Sequence, residues 1–295
     1  ADAALDFTIA SRQLDQIQWM ADAIDLFLGT AGAEIRISSG NTTKASLSGD
    51  EIPRSDKATT EGCAQIQPVT INRRILFVDR SRKKIFTFVY DFNIDGYDSL
   101  EITATSEHIA GEQFSTLGEQ VNIALGPVGV TRRPDPRCYF VRSDGQLICL
   151  TYFQSEKVIG FTRFVTDGKF VAVTAIPQTG GLPDQVWAIV ERFSATKRFV
   201  EVFDSEANEF LNERSWLSLQ TDCAKVYDVN GTSTTVFAGL SHLEGRQVRC
   251  VGDGADLGLK TVAGGQITLA DPVSRSMEIG LDYVSTLEPM RPAIV

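Results

Sequence analysis

The stretch "CYFVRSDGQLICLTYF", Cys138 to Phe153, consists of two apolar runs folded about a short polar turn. Ser143-Asp144-Gly145 supplies a glycine that tolerates positive φ in a tight connection, which predicts a β-hairpin with Val141, Leu147 and Cys149 facing inward together. Three further segments share the design: "LFLGTAGAEIRIS" (26–38), "ILFVDRSRKKIFTFVYD" (75–91) and "VWAIVERFSATKRFVEVFD" (186–204). Each is an apolar run, a polar turn and a second run with period-two alternation, so each reads as a hairpin. The first apolar residues after the turns, Ile35, Ile85, Leu147 and Phe199, are separated by 50, 62 and 52 residues.

That spacing suits the blades of a β-propeller, because a lone four-stranded sheet exposes two apolar faces and buries them only against neighbouring blades. Strands between the hairpins are expected in "RQLDQIQWMADAI", "GCAQIQPVTI" and "VIGFTRFVTDGKFVAVTAIP". The longer middle interval holds "ITATSEHIAGEQFSTLGEQ", which reads as a helix or loop inserted on one face. From about Ser215 the texture changes to short strands with frequent glycine, the signature of a small β-sandwich or barrel module. The expected architecture is therefore all-β: propeller-like blades over residues 1–213, an incomplete propeller or fragment, then a β-sandwich-like domain over 214–295, with the junction between 205 and 220.

The 295 residues carry a net charge of −10, which argues against a broad phosphate-binding face. No apolar run reaches the roughly 18 to 20 residues that span a bilayer, and no basic-then-apolar leader opens the chain. The chain starts without Met inside a patterned segment, which predicts a piece of something longer. Cys63, Cys138, Cys149, Cys223 and Cys250 show no C-x-x-C and no adjacent histidine, so reduced, mostly buried thiols are expected rather than zinc or redox chemistry. The sequons at Asn41 and Asn230 carry little weight without a secretory signal.

Several stretches resemble chemistry. "DFNIDGYDSLE", Asp91 to Glu101, begins like an EF-hand loop, with oxygens at Asp91, Asn93 and Asp95 and glycine at Gly96. Its twelfth position, however, is Ile102, where a bidentate carboxylate is required, and a strand pattern rather than a helix precedes it. The expected structure is a strand ending at Tyr90-Asp91 and turning through Asp95-Gly96. His108 and His242 are the two histidines available as a base, and "GLSHLEG" fails the nucleophile-elbow pattern at Leu243. Asp22/Asp25 and Glu206/Glu209 read as solvated acidic faces. Arg73, Arg74, Arg80, Arg82, Lys83 and Lys84 surround one hairpin; protection of a strand edge is the preferred reading and nucleic-acid contact the other. Trp19, Trp187 and Trp216 are expected to be structural anchors. No glycine-rich phosphate loop occurs, and no residue is assigned a catalytic, cofactor-binding or metal-ligating role.

Residues 237–287 resemble the tail nozzle proteins of short-tailed phages, the family also called tail tubular protein B or phage stabilisation protein. The resemblance is carried by "HLEG" (242–245), "DG" (253–254), "GGQITL" (264–269) and "IGLDYVS" (279–285). Upstream, residues 26–38, 66–99, "SEHI" (106–109) and "RSDGQLICLTYF" (142–153) are similar to the same family's propeller segments, so the likeness runs from about residue 14 to residue 287. It implies a structural, non-enzymatic virion protein, made in the bacterial host cytoplasm. Six copies would form a ring below the adaptor, or head-tail connector, with tail fibres or tailspikes attached around it. DNA would pass through without sequence-specific binding. Two readings from other classes stay open: a glycan-binding or receptor-binding tail protein, and a tail-associated glycan hydrolase.

Overall fold

The computed structural model describes residues 16–23, 25–40, 47, 52–71, 74–93, 96–110, 112–114, 120–122, 125–153, 156, 158–193, 197–203, 221–229 and 231–286. The chain is all-β and is built from small antiparallel sheets, none of them closed. It divides into two compact units, Ala1–Val202 and Phe203–Val295. The junction expected at 213/214 lies outside the described residues.

The first unit is a series of meanders. Sheet I contains β1 (Ile17–Asp22), β2 (Leu26–Thr30), β3 (Glu34–Ser38) and β4 (Arg54–Thr59). Sheet II contains β5 (Val69–Ile71), β6 (Arg74–Val78), β7 (Ile85–Asp91) and β8 (Gly96–Glu101). After a short helix α1 (Glu107–Ala110) and a small pair, β9 (Glu112–Phe114) with β10 (Gln120–Asn122), comes sheet III: β11 (Leu125–Thr131), β12 (Arg137–Arg142), β13 (Leu147–Phe153) and β14 (Val158–Phe164). Sheet IV has three strands, β15 (Lys169–Ile176), β16 (Gln185–Arg192) and β17 (Lys197–Val202). Strands are paired in chain order within every one of these sheets, and the four hairpins read from sequence form the second and third strands of each.

The hairpin strands of sheets II and III are apolar on both sides because both sides are covered. In sheet II, Ile75, Phe77, Phe86 and Phe88 pack with Trp19, Phe27 and Cys63 of the preceding region. Leu76, Val78 and Ile85, pointing the other way, join Cys138, Phe140, Ile148 and Leu150 of sheet III. The opposite face of sheet III carries Tyr139, Val141, Leu147 and Cys149, all buried, while β11 and β12 lie against β15. Gly129 permits that approach, since a Cβ there would sit 3.0 Å from the Thr174 backbone. Period-two alternation thus sorts side chains between two neighbouring sheets rather than between core and water. In sheet IV one set of residues faces solvent instead, Ile189 of β16 and Val200 and Val202 of β17 among them.

One hydrogen bond recurs between successive sheets. Cys63 N–H, ahead of β5, donates to Thr30 O at the end of β2 (2.8 Å). Leu125 N–H, opening β11, donates to Arg82 O in the β6–β7 turn (2.7 Å), and Phe170 N–H in β15 donates to Gly145 O in the β12–β13 turn (2.8 Å). In each case the turn between a sheet's second and third strands anchors the start of the next sheet. Gly145, at φ +90°, makes the tight turn foreseen for it.

The second unit has a four-stranded sheet in the order β18 (Asp222–Asp228), β23 (Ser276–Leu281), β20 (Gln247–Gly252) and β21 (Ala255–Thr261), and a ribbon of β19 (Thr234–Ala238) with β22 (Gln266–Val273). Tyr227 joins the two sheets: its hydroxyl donates to Ala238 O at 2.7 Å and its ring lies 5.2 Å from Phe237. Phe237, Leu243, Val248, Cys250, Met277 and Ile279 are fully or almost fully buried in this unit.

Candidate functional site

The calcium-like stretch is a hairpin. β7 ends at Asp91, which pairs with Gly96, and Tyr90 pairs with Tyr97 as β8 begins. The Asp91 carboxylate accepts the Asn93 backbone N–H (2.8 Å), while Ile94 and Asp95 lie outside the described residues. Ile102 is buried among the apolar side chains between sheets II and III. Among the described residues there is no group of three His, Cys, Asp or Glu side chains able to hold a metal ion.

The other candidates are scattered. His108 sits on α1 in the first unit, and His242 lies in a short 3-10 turn of the second. Asp25 is held by Arg36 at 2.6 Å, whereas Asp22 is exposed at the end of β1. Glu206, Glu209, Trp216 and the sequon asparagines lie outside the described residues. Trp19 is buried against Gly29 and 5.7 Å from Phe77, a structural anchor. Trp187 is half-buried on the outer face of sheet IV, its indole N–H donating to Gln185 at 3.3 Å. Four of the five thiols are buried and none is in a disulfide; burial, aided by the Glu34 carboxylate, pushes the Cys63 thiol far up.

A shallow groove of about 430 Å³ opens beside the first strands of sheets I to III, where Asp22, Gln67, Thr70, Val128 and Arg132 line it. It is half open to solvent and brings no acid and base together.

The basic cluster is the most definite surface feature. Arg73 lies outside the described residues, Arg74 donates to the Tyr152 hydroxyl (3.3 Å), and Lys84 pairs with Glu101 (2.9 Å) and Glu107 (3.7 Å). Arg80, Arg82 and Lys83 stand on the β6–β7 turn, and among the described residues none has a carboxylate within ion-pair distance. Here the structure corrects the edge-protection reading. β6 and β7 are interior strands, each paired on both sides, so their turn guards no open edge. The turn is tightly fixed: the Asp79 carboxylate accepts N–H groups from Ser81, Lys83 and Lys84 at 3.0 to 3.1 Å. Leu125 anchors it from the next sheet.

Three buried polar centres escaped the sequence reading. Arg142 is clamped by Asp144 and by the Ile109 carbonyl. Arg192 is held by both Glu201 oxygens and the Thr166 hydroxyl. Glu34, wholly buried, accepts from Thr59 Oγ1 (2.6 Å), Glu61 N–H and Cys63 Sγ. An arginine ending an apolar run just before a turn was the available signal for the first two.

The motifs that carry the phage-tail resemblance hold the second unit together. Glu244 of "HLEG" accepts N–H groups from Gly264 (2.9 Å) and Gly265 (2.6 Å) of "GGQITL". Asp253 of "DG" accepts from the Ser274, Arg275 and Ser276 backbones. Asp282 of "IGLDYVS" grips Arg249 through both oxygens at 2.7 and 2.9 Å. Compared with known proteins, the chain matches no family model and no curated sequence.

Proposed function

We propose that this chain is a non-enzymatic structural protein of a phage tail nozzle, contributing part of the conduit for DNA ejection and a docking surface for other tail proteins. The same reading takes sheets I to IV as propeller-like blades, open in this chain, followed by a small β module. The observation that carries it is the recurring hydrogen bond from the start of one sheet to the hairpin turn of the one before, joined to burial of sheets II and III on both faces. Such a series builds a wall whose units differ only in position, which is what scaffolding requires and what an isolated catalytic pocket does not. Support also comes from the outer face of sheet IV, where Ile176, Ile189, Val200 and Val202 are exposed, a surface suited to burial against a neighbour in an assembly. A charge of −10 suits a lining that does not retain a passing polyanion.

Electron microscopy of the full-length product with its portal and adaptor tests the reading. Density for these sheets in a ring coaxial with the DNA channel is the expected result. A product that stays off the portal–adaptor complex, or hydrolyses glycans, ends it.

A further inference from the structure

The net charge of −10 makes cations the minority on this chain, and many are paired with carboxylates: Arg36 with Asp25, Arg54 with Asp56, Arg137 with Asp135, Arg192 with Glu201 and Arg249 with Asp256 and Asp282. Among the described residues, Arg80, Arg82 and Lys83 depart from that rule together, on one turn of six residues, with Arg80 and Arg82 exposed and Lys83 half-buried. Nothing in the sheet needs their charge, because interior strands have no edge to protect. The backbone beneath them is nonetheless closely fastened. Asp79 takes three of its N–H groups, Arg82 N–H donates to Asp79 O (2.9 Å), Arg80 N–H to Gly62 O (3.1 Å), and Arg82 O receives Leu125 N–H. Arg82 itself is held at φ +60°, a conformation most side chains avoid.

A rigid platform carrying two guanidinium groups and an ammonium, with its own carboxylate turned inward, is built for an external anion. We propose that the β6–β7 turn is a contact for the phosphate backbone of nucleic acid. Arginine presents a planar fork that matches phosphate oxygens. The turn segment 79–84 has no aromatic side chain on which a base could stack, so the contact is to backbone and independent of sequence. The remaining negative surface confines it to about three phosphates and keeps it weak, releasing the strand readily. The choice of nucleic acid over an acidic protein segment rests on the nozzle reading; the cationic turn itself does not.

Fluorescence anisotropy with a labelled 30-nucleotide single strand and a 30-base-pair duplex tests this on the purified chain. Binding at 20 mM salt should weaken with a log–log salt slope of roughly −2 to −3. The triple variant R80E/R82E/K83E should bind about tenfold or more weaker with a flattened slope, while the charge-matched control K57E/R163E/K260E stays within about threefold. Should the triple variant fold poorly, R80Q/K83Q, which leaves Arg82 and its anchored carbonyl in place, reads the same loss at smaller size. Absence of binding at 20 mM salt, equal losses in both triple variants, or binding of polyglutamate but neither nucleic acid would overturn the proposal. None of these outcomes decides whether the protein stands in a tail, which the microscopy decides separately.

Discussion

Arg192 shows how a single side chain can tie three strands' worth of backbone together. Its side chain is 1% exposed and lies against Glu201 on the next strand and Thr166 and Asp167 before β15. Arg192→Met leaves the Glu201 carboxylate without its partner, and a loss of about 2 to 4 kcal/mol is expected in urea unfolding. An unchanged midpoint would mean that the pair contributes nothing. Asp253 gives a pH signature instead. Partial desolvation works to raise its pKa, but N–H groups from Ser274, Ser276 and Arg275 outweigh this and hold it down at about 2, against an ordinary 3.8. A carboxyl group depressed on folding adds stability above its unfolded pKa and loses it as pH falls through the folded one. Wild type should therefore melt above Asp253→Asn at pH 6, and the gap should close between about pH 4 and 2. A gap of constant size across that range would rule out the charged form as its source.

At the scale of the element, Trp19 and Gly29 make a testable pair. A Cβ at Gly29 would run into the Trp19 ring, so the indole rests directly on the backbone of β2. Gly29→Ala must displace it, costing about 1 to 3 kcal/mol by overpacking and shifting Trp19 emission to the red. Retention of both stability and spectrum would show that the strand yields instead. The hairpins were legible in sequence because apolar runs around a polar turn admit few other structures, and Ser143-Asp144-Gly145 named its turn. β4 was not, since "RSDKAT" is an outermost strand with little to bury. β8 was hidden inside a calcium-like pattern, and β11, with Pro127 and two glycines, reads as a breaker although an outer strand of its sheet tolerates them. The basic turn was seen but given the wrong duty, because the sequence shows charge and cannot show whether the strands beside it are interior or at an edge. Glu34 was invisible for a related reason: its donors come from residues 25 to 29 positions away.

For the whole molecule, each unit carries a buried core of its own, Ile75 to Tyr152 and neighbours in one and Phe237 to Leu281 in the other. The fragment Phe203–Val295 is accordingly expected to fold by itself, giving dispersed amide resonances and a cooperative melt. A collapsed spectrum would show that the first unit is needed to shape it. Thiol chemistry offers a second check on the intact chain: Cys223, half-buried, should react with a disulfide reagent at pH 8 well before Cys63, Cys138, Cys149 and Cys250, which burial shields. Uniform reaction of all five would contradict the packing described.

The three backbone bonds that anchor each sheet to the hairpin of the one before run in one direction. Thr30, Arg82 and Gly145 supply the carbonyls, and Cys63, Leu125 and Phe170, later in the chain, supply the amides. On a ribosome the receiving turn has emerged before the strand that seeks it, so sheets can settle in the order of their synthesis, each newcomer finding a finished surface. A protein laid down course upon course in this way needs no distant partner to begin folding.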